Sequence, residues 1–384
     1  MHISRRAAVS LLLLAAIAGA VVVCLFVLRP QADSEARPEL SLPSVAGDAD
    51  DCAIWIHPTD GAKSTIIGND KAAGPKSGLY VYSLDGRVLQ YVPVDAPNNL
   101  DVRYNVALGG READVCVVTE TGTDGLRAFA IDAGTGLLAE VTAPGGIRAG
   151  AGIELCYGLA LYRRPADGAL FAFVSPRKRG AIRQFLLHDD GSGRLAGSLV
   201  RTLGGDVIGD CVEGMVADDE LGFLYASDEK RAVLKFHADP DKGDALVARF
   251  AQGDGIGDDR EGIAIYKRGD GTGYLLLSDQ ENDSVKVYAR EGGNRFLGTV
   301  ATLGSSRTDG LDVTSTAAGT RFPHGFLVCH NSPGRNFIVY DWAHVAGTGL
   351  RLGGDYDPRR PAPPDPLAQS ASSVRPQPHP PRRF

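Results

Sequence analysis

Six short blocks of similar build follow one another along this chain, and that repetition limits the available folds more than any other feature. The blocks start near Cys52, Leu100, Gly158, Gly214, Gly262 and Gly310, spaced 48, 58, 56, 48 and 48 residues apart. Each holds three β-rich runs separated by Gly, Asp or Asn. Glu261–Tyr266, Tyr274–Ser278 and Ser284–Tyr288 make a clear copy, and the copy from Leu100 is the most diverged. A period of about 50 residues built from strands and turns describes a propeller blade; a helical solenoid would show a 3.6-residue period. With 48 Gly in 384 residues the chain is rich in turns, which excludes a long-helix or coiled-coil protein. One blade cannot bury both faces of its own sheet, so the copies must pack radially and close a ring. The expected fold is all-β: a six-bladed β-propeller with a central channel and four-stranded antiparallel blades, filling 38–350 as one domain.

The ends differ from the middle. Arg5 and Arg6 precede an apolar run from Ala7 to Leu28. A basic flank before such a run suits an export signal or a single N-terminal membrane anchor. Residues 1–30 are therefore set apart, and the propeller is expected outside the cytoplasm, periplasmic or extracellular. Residues 351–384 are rich in Pro with little to bury and read as a disordered, mildly basic tail. The formal net charge is −7, and residues 31–350 alone carry −13. Such a domain repels nucleic acid and anionic lipid, and its carboxylates call for bound cations. Five Cys remain outside the apolar run, an odd number that leaves any pairing open. The eight His show no metal-binding spacing, Gly-x-Ser-x-Gly is absent, and Cys329 with Arg335 matches a phosphatase loop only by coincidence.

The residue before each block start is polar: Asp51, Asn99, Tyr157, Glu213, Glu261 and Asp309, with Asp50 and Asp259 beside them. Equivalent positions in a ring of blades fall on one circle around the axis. Carboxylates gathered there need protons or hard cations between them. An all-oxygen set without Cys or well-placed His suits Ca²⁺. A second ring follows at the end of each second strand. It brings Lys71, Lys76, Arg177, Lys178 and Arg179 to one wall and adds Glu229 to the acidic side. Cations on carboxylates facing Lys and Arg fit a phosphate-rich polyanion. A metal ion there activates water for attack on phosphorus, with no protein nucleophile required.

Asp48-Ala-Asp-Asp-Cys-Ala-Ile-Trp-Ile-His-Pro58, Asn98-Asn-Leu-Asp-Val-Arg-Tyr104, Glu213-Gly-Met-Val-Ala-Asp-Asp-Glu220, Asp259-Arg-Glu-Gly-Ile-Ala-Ile-Tyr266 and Thr308-Asp-Gly-Leu-Asp-Val313 stand in this order. Together they resemble the β-propeller phytases over about 48–346. The resemblance implies a monomeric, Ca²⁺-dependent phosphomonoesterase of 3-phytase type acting on myo-inositol hexakisphosphate, with several ions at the top of the channel. It implies that Asp50, Asp51, Tyr157, Glu213, Glu229, Asp259, Glu261 and Asp309 are calcium-site residues, and that Asn99 and Asp101 belong to a structural calcium site. Glu213, Glu261, Asp259 and Tyr157 are the expected catalytic group. Lys71 or Lys76, together with Lys178, match phosphate-binding lysines, and Arg177 and Arg179 stand ready beside them. Three places depart from the family pattern: Thr121 replaces an Arg, Leu303 and Arg307 replace acidic residues, and Ile338 replaces a Lys. Two other readings stay open, a non-catalytic calcium-binding propeller that binds a polyanion or partner, and a lactonase-like calcium hydrolase.

Overall fold

The computed structural model describes residues 33–150 and 154–360. The apolar run at 7–28 and the chain beyond 360 lie outside the described residues. Among the described residues no helix is long and apolar enough to cross a membrane.

Six antiparallel sheets stand around a central channel. The first blade is β3 (Ala49–Trp55), β4 (Thr65–Asp70), β5 (Gly78–Ser83) and β6 (Val88–Pro93), ordered from the channel outward. The second is β7 (Pro97–Leu108), β8 (Arg111–Glu120), β9 (Gly125–Ile131) and β10 (Leu138–Glu140), with β11 (Ile147–Arg148) also on β9. The third runs from β12 (Cys156–Arg163) through β13 (Leu170–Pro176) and β14 (Ile182–Asp189) to β15 (Leu195–Leu203). The fourth has β16 (Val212–Asp218), β17 (Phe223–Asp228), β18 (Ala232–His237) and β19 (Leu246–Phe250). The fifth has β20 (Arg260–Lys267), β21 (Gly273–Asp279), β22 (Ser284–Ala289) and β23 (Phe296–Thr302). The sixth takes β24 (Leu311–Thr314), β25 (Phe326–Asn331) and β26 (Asn336–Asp341) from late in the chain.

The sixth blade obtains its outer strand from the other end of the sequence. β2 (Leu40–Ser41) pairs antiparallel with β26, Leu40 opposite Val339 and Ser41 opposite Ile338. β1 (Ser34–Ala36) adds in parallel to β23. The ring is thus closed by hydrogen bonds between distant parts of the chain.

Six apolar clusters fill the six seams between neighbouring blades. One joins the first and second blades through Trp55, Ile67, Val81, Cys116, Val118 and Phe129. Another joins the sixth to the first through Ile54, Ile66, Phe326, Val328 and Phe337. Middle strands are buried on both faces, which is why β4 and β13 have no exposed position.

Calling the end where inner strands begin the upper end, β26 descends into a short helix, α1 (Trp342–Ala346), at the lower end. Trp342 stacks on Tyr266 with ring centroids 3.5 Å apart. Contacts extend past the expected limits of 38 and 350. Ser34 Oγ donates to the Val345 carbonyl at 2.7 Å. Residues 351–360, expected in the tail, lie across the lower end. The amides of Arg351 and Gly353 donate to the hydroxyls of Tyr274 and Tyr266 at 2.9 and 2.8 Å, and Arg359 pairs with Asp114. Tyr356 and Pro358 there cover a cavity of about 130 Å³ lined also by Asp101, Arg103, Asp219 and Asp312.

Candidate active site

Every inner strand that carries an upper-rim residue within it is bulged at that residue. The register shifts between Ala49 and Cys52, Pro97 and Leu100, Cys156 and Leu159, Val212 and Met215, and Arg260 and Ile263. Asp50 and Asp51, Asn98 and Asn99, Tyr157, Glu213 and Glu261 sit inside these bulges. A bulge frees two residues from the ladder and re-aims their side chains, here toward the axis.

Freed backbone groups must find partners, and the penultimate residue of the second strand provides them. Asn69 Oδ1 accepts the Asp51 amide at 2.9 Å, while Asn69 Nδ2 donates to the Pro97 carbonyl of the next blade at 3.2 Å. Thr119 Oγ1 accepts the Asn99 amide and donates to the Tyr157 carbonyl, both at 3.0 Å. Ser278 Oγ donates to Thr308 of the sixth blade at 2.6 Å, and His330 Nδ1 accepts the Asp309 amide at 3.1 Å. In the first and second blades, one side chain therefore ties its own bulge to its neighbour's.

The block-start glycines explain the tightness of the ring. A Cβ on Gly214 would overlap the Glu261 carbonyl oxygen, one on Gly262 would stand 2.6 Å from that of Asp309, and one on Gly310 would overlap Asp51 Oδ1. The Gly262 amide donates to Asp309 at 2.8 Å and the Gly310 amide to Asp50 at 2.9 Å. Adjacent inner strands thus touch through their backbones, bringing the preceding side chains together.

Glu213, Glu229 and Glu261 result as one cluster. All three are buried, and one carboxylate oxygen of each lies within 4.8 Å of the others. Glu213 Oε1 accepts Asn98 Nδ2 at 2.7 Å. Glu229 Oε1, Glu261 Oε2 and Asp50 Oδ2 are buried without a hydrogen-bond partner. Burial, then the charge of Asp50, pushes Glu213 up to about 8. Burial followed by Glu213 and Glu229 raises Glu261 well above the carboxylate range. Burial also raises Asp50, Asp51, Glu229 and Asp309. Orphaned, desolvated carboxylate oxygens facing one another are an incomplete arrangement that a cation would complete.

Lys71 is a cation that the protein itself brings to this ring. Its Nζ lies 2.5 Å from Asp50 Oδ1 and 3.7 Å from Asp309 Oδ2. Asp309 also accepts from Gln280 and lies 3.5 Å from His330 Nδ1. Burial lowers His330 to about 4, so it is neutral above that pH.

A family model described as Phytase matches residues 2–350. The chain belongs to the phytase family. A 3-phytase of Bacillus subtilis (strain 168) is 35% identical over 323 residues, covering 79% of this chain and 82% of that protein. An auxiliary nutrient binding protein from Bacteroides thetaiotaomicron superposes with a TM-score of 0.46 at 11% identity, over 78% of this chain and 70% of that one, a likeness too slight to bear on function.

The remaining expected residues of this phytase-family hydrolase fall into distinct places. Asp259 is half-buried at the cluster's edge and pairs with Lys230 at 2.7 Å. Tyr157 stands against Glu213, whose charge together with burial raises its phenol, and Arg177 lies 5.6 Å from its ring. Arg179 Nε donates to the Ile208 carbonyl at 3.0 Å. Lys76 is exposed, and Lys178 is exposed with Glu154 3.8 Å away. Asp51 and Asp101 join blades: Asp51 Oδ2 accepts the Leu100 amide at 3.0 Å and Asp101 Oδ2 the Leu161 amide at 2.8 Å. Asp101 also pairs with Arg103 at 2.7 Å, low in the channel and away from the rim. Of the departures, Ile338 is core, while Leu303 and Arg307 are exposed. Thr121 Oγ1 donates to the Cys156 carbonyl at 3.2 Å.

Some contributors do not stand out in the sequence pattern. Asn98 reaches Glu213, and Asp70 and Asp228 close the second strands of their blades. Asp70 accepts the amides of Gly47 and Asp48 at 2.7 and 2.9 Å, and Asp228 those of Gly209 and Asp210 at 3.0 and 2.7 Å. Each holds the loop that enters its own inner strand. Their repetition at matching positions is the signal that could have found them.

Proposed function

We propose that this enzyme releases phosphate from myo-inositol hexakisphosphate, with Ca²⁺ held by Glu213, Glu229 and Glu261 and further ions by Asp50, Asp259 and Asp309. The observation that carries this reading is the set of buried, unpartnered carboxylate oxygens on Glu229, Glu261 and Asp50, an all-oxygen donor set suited to a hard cation. Bound there, Ca²⁺ supplies charge that neutralises phosphate oxygens and lowers the pKa of a coordinated water.

The protein's own groups do the rest. Lys71 presents a fixed positive charge at the mouth: burial disfavours that charge, but the carboxylates of Asp50, Glu213 and Asp309 outweigh it and keep the ammonium protonated. Arg177, Lys178 and Arg179 form an exposed basic corner on the third blade that receives the remaining phosphates. Tyr157 and Asn98 orient Glu213. The basic-flanked apolar run at 7–28 supports export, so the reaction is placed outside the cytoplasm.

Phosphate release from inositol hexakisphosphate, followed across a Ca²⁺ titration that ends in excess chelator, tests this reading. Calcium-dependent release that disappears in Glu261→Gln is expected. A folded, calcium-stabilised protein that releases none overturns it.

A further inference from the structure

Residues 351–360 cross the lower mouth of the channel in one irregular span. The crossing begins on the fifth and sixth blades. Tyr274 and Tyr266 hold the amides of Arg351 and Gly353, and Trp342 Nε1 donates to the Arg351 carbonyl at 3.1 Å. His324 Nδ1 donates to the Gly353 carbonyl at 2.6 Å, and Thr316 Oγ1 to that of Tyr356 at 2.8 Å. The crossing ends on the first and second blades. Asn105 Nδ2 donates to the Arg359 carbonyl at 2.9 Å, while Arg359 Nη2 donates to the Ile56 carbonyl at 2.7 Å and pairs with Asp114. The span therefore bridges the seam between the sixth and first blades, the last and first in the chain.

No residue from 351 to 360 is buried, so polar contacts hold the span rather than packed apolar surface. Segments held in this way open locally at lower cost than the core does. What the span grips, however, is inner strand. Tyr266 lies near the lower end of β20, whose upper end carries Glu261, and Ile56 follows β3, whose upper end carries Asp50 and Asp51. Tyr104, with its ring centroid 4.7 Å from the Arg359 guanidinium, extends the grip up β3. Its hydroxyl accepts the Ile56 amide at 3.0 Å and donates to the Ile54 carbonyl at 3.2 Å. We propose that residues 351–360 are a releasable latch. Closed, they floor the channel and hold the sixth blade to the first; open, they leave the blades folded, the ring looser and the channel accessible from below. Weaker cation binding at the carboxylate ring when the latch is open rests on the proposed function; the latch itself does not.

The chain has two Trp, and both touch the latch. Trp342 bonds to Arg351, and the Trp55 ring lies 5.9 Å from the Arg359 guanidinium, its Nε1 donating to Asp114 at 2.8 Å. Acrylamide quenching of tryptophan fluorescence in the full chain therefore reads whether the latch is closed. The wild type is compared with Arg359→Ala, a chain ending at Leu350 and a chain ending at Arg360. In Arg359→Ala and the chain ending at Leu350, quenching should rise about twofold with unchanged far-ultraviolet circular dichroism, and the melting temperature should fall by at least about 2 °C. The chain ending at Arg360 should match the wild type in both. Arg359→Ala carries the test alone if the shortest chain does not fold. Unchanged quenching in folded Arg359→Ala, a rise in quenching with no fall in melting temperature, or the whole loss on removing 361–384 alone overturns the proposal. In a separate phosphate-release assay, Arg359→Ala should need roughly threefold more Ca²⁺ for its half-maximal rate, and an unchanged requirement in an active enzyme overturns the link to the ring. An inactive wild type whose tryptophans respond as expected refutes the proposed function and leaves the latch standing.

Discussion

Ser175 Oγ donates to the carbonyl oxygen of Val212 at 2.5 Å, across the seam between the third and fourth blades. The same hydroxyl oxygen accepts the Gly158 amide of its own blade at 2.9 Å. One hydroxyl therefore sets the distance between Tyr157 and Glu213, the residues next to its two partners. Ser175→Ala should leave a buried donor and a buried acceptor unsatisfied and cost about 1–3 kcal/mol. Urea denaturation reads the stability, and kcat/KM should fall further than the small stability loss explains.

Gly214 allows the fourth and fifth inner strands to meet. Gly214→Ala forces its new methyl group into the Glu261 carbonyl oxygen, and overpacking of this kind costs about 1–3 kcal/mol. Gly253 faces open space, with no atom within 4 Å of the place a methyl group would occupy. Gly253→Ala is therefore expected to leave melting temperature and activity unchanged, and Gly214→Ala to lower both.

The buried carboxylates make the cation-free protein sensitive to alkali. Glu213 is raised from 4.5 to about 8, and Glu261, Glu229, Asp50, Asp51 and Asp309 are raised too. Between these limits the folded chain binds more protons than the unfolded one. Stability is then fully present below the unfolded carboxylate range and is lost as pH rises through about 8. Each retained proton is worth about 1.4 kcal/mol per pH unit. Calorimetry in chelator should show a falling melting temperature from about pH 4.5 to about pH 8, the span between the unfolded and folded values of Glu213. Added Ca²⁺ should restore more stability at the higher pH, and Glu213→Gln should flatten the slope.

Arg290 is fully buried, with Nε and Nη2 2.6 and 2.7 Å from Asp218 and a further bond to Glu220. Its charge, opposing burial, holds the Asp218 carboxyl well below the usual range. Arg290→Met strands two buried carboxylates and should cost about 3–5 kcal/mol, measured by chemical denaturation. The double replacement with Asp218→Asn should recover part of that loss.

Lys71→Met removes the positive charge at the mouth. Charge-assisted contacts contribute about 1.5–3 kcal/mol, so kcat/KM for inositol hexakisphosphate should fall by roughly 10- to 100-fold. Lys76→Met, on an exposed side chain, should change it little.

The blades are legible because each copy repeats its turns and its start position, and the rim because the residue before that start is polar in all six. The closing strand is not. Leu40–Ser41 has two residues, too few for any periodicity, and its partner Val339 lies far along the chain. Residues 351–360 read as tail because Pro and Arg bury poorly by themselves; backbone amides of Arg351 and Gly353 on Tyr274 and Tyr266 hold them. The bulge relays of Asn69, Thr119, Ser175 and Ser278 use ordinary polar residues, which carry no signal until their register with the neighbouring blade is known. Asp101 follows Asn99 by two residues along an inner strand, which carries it down to Arg103.

Ser34 and residues 351–360 both lie at the lower end, opposite the carboxylate ring. Anything joined to either end of the described chain, whether a bilayer, a resin or a second protein, therefore meets the molecule from behind. An attached enzyme keeps its mouth turned outward, and a large polyphosphate reaches it without passing the attachment.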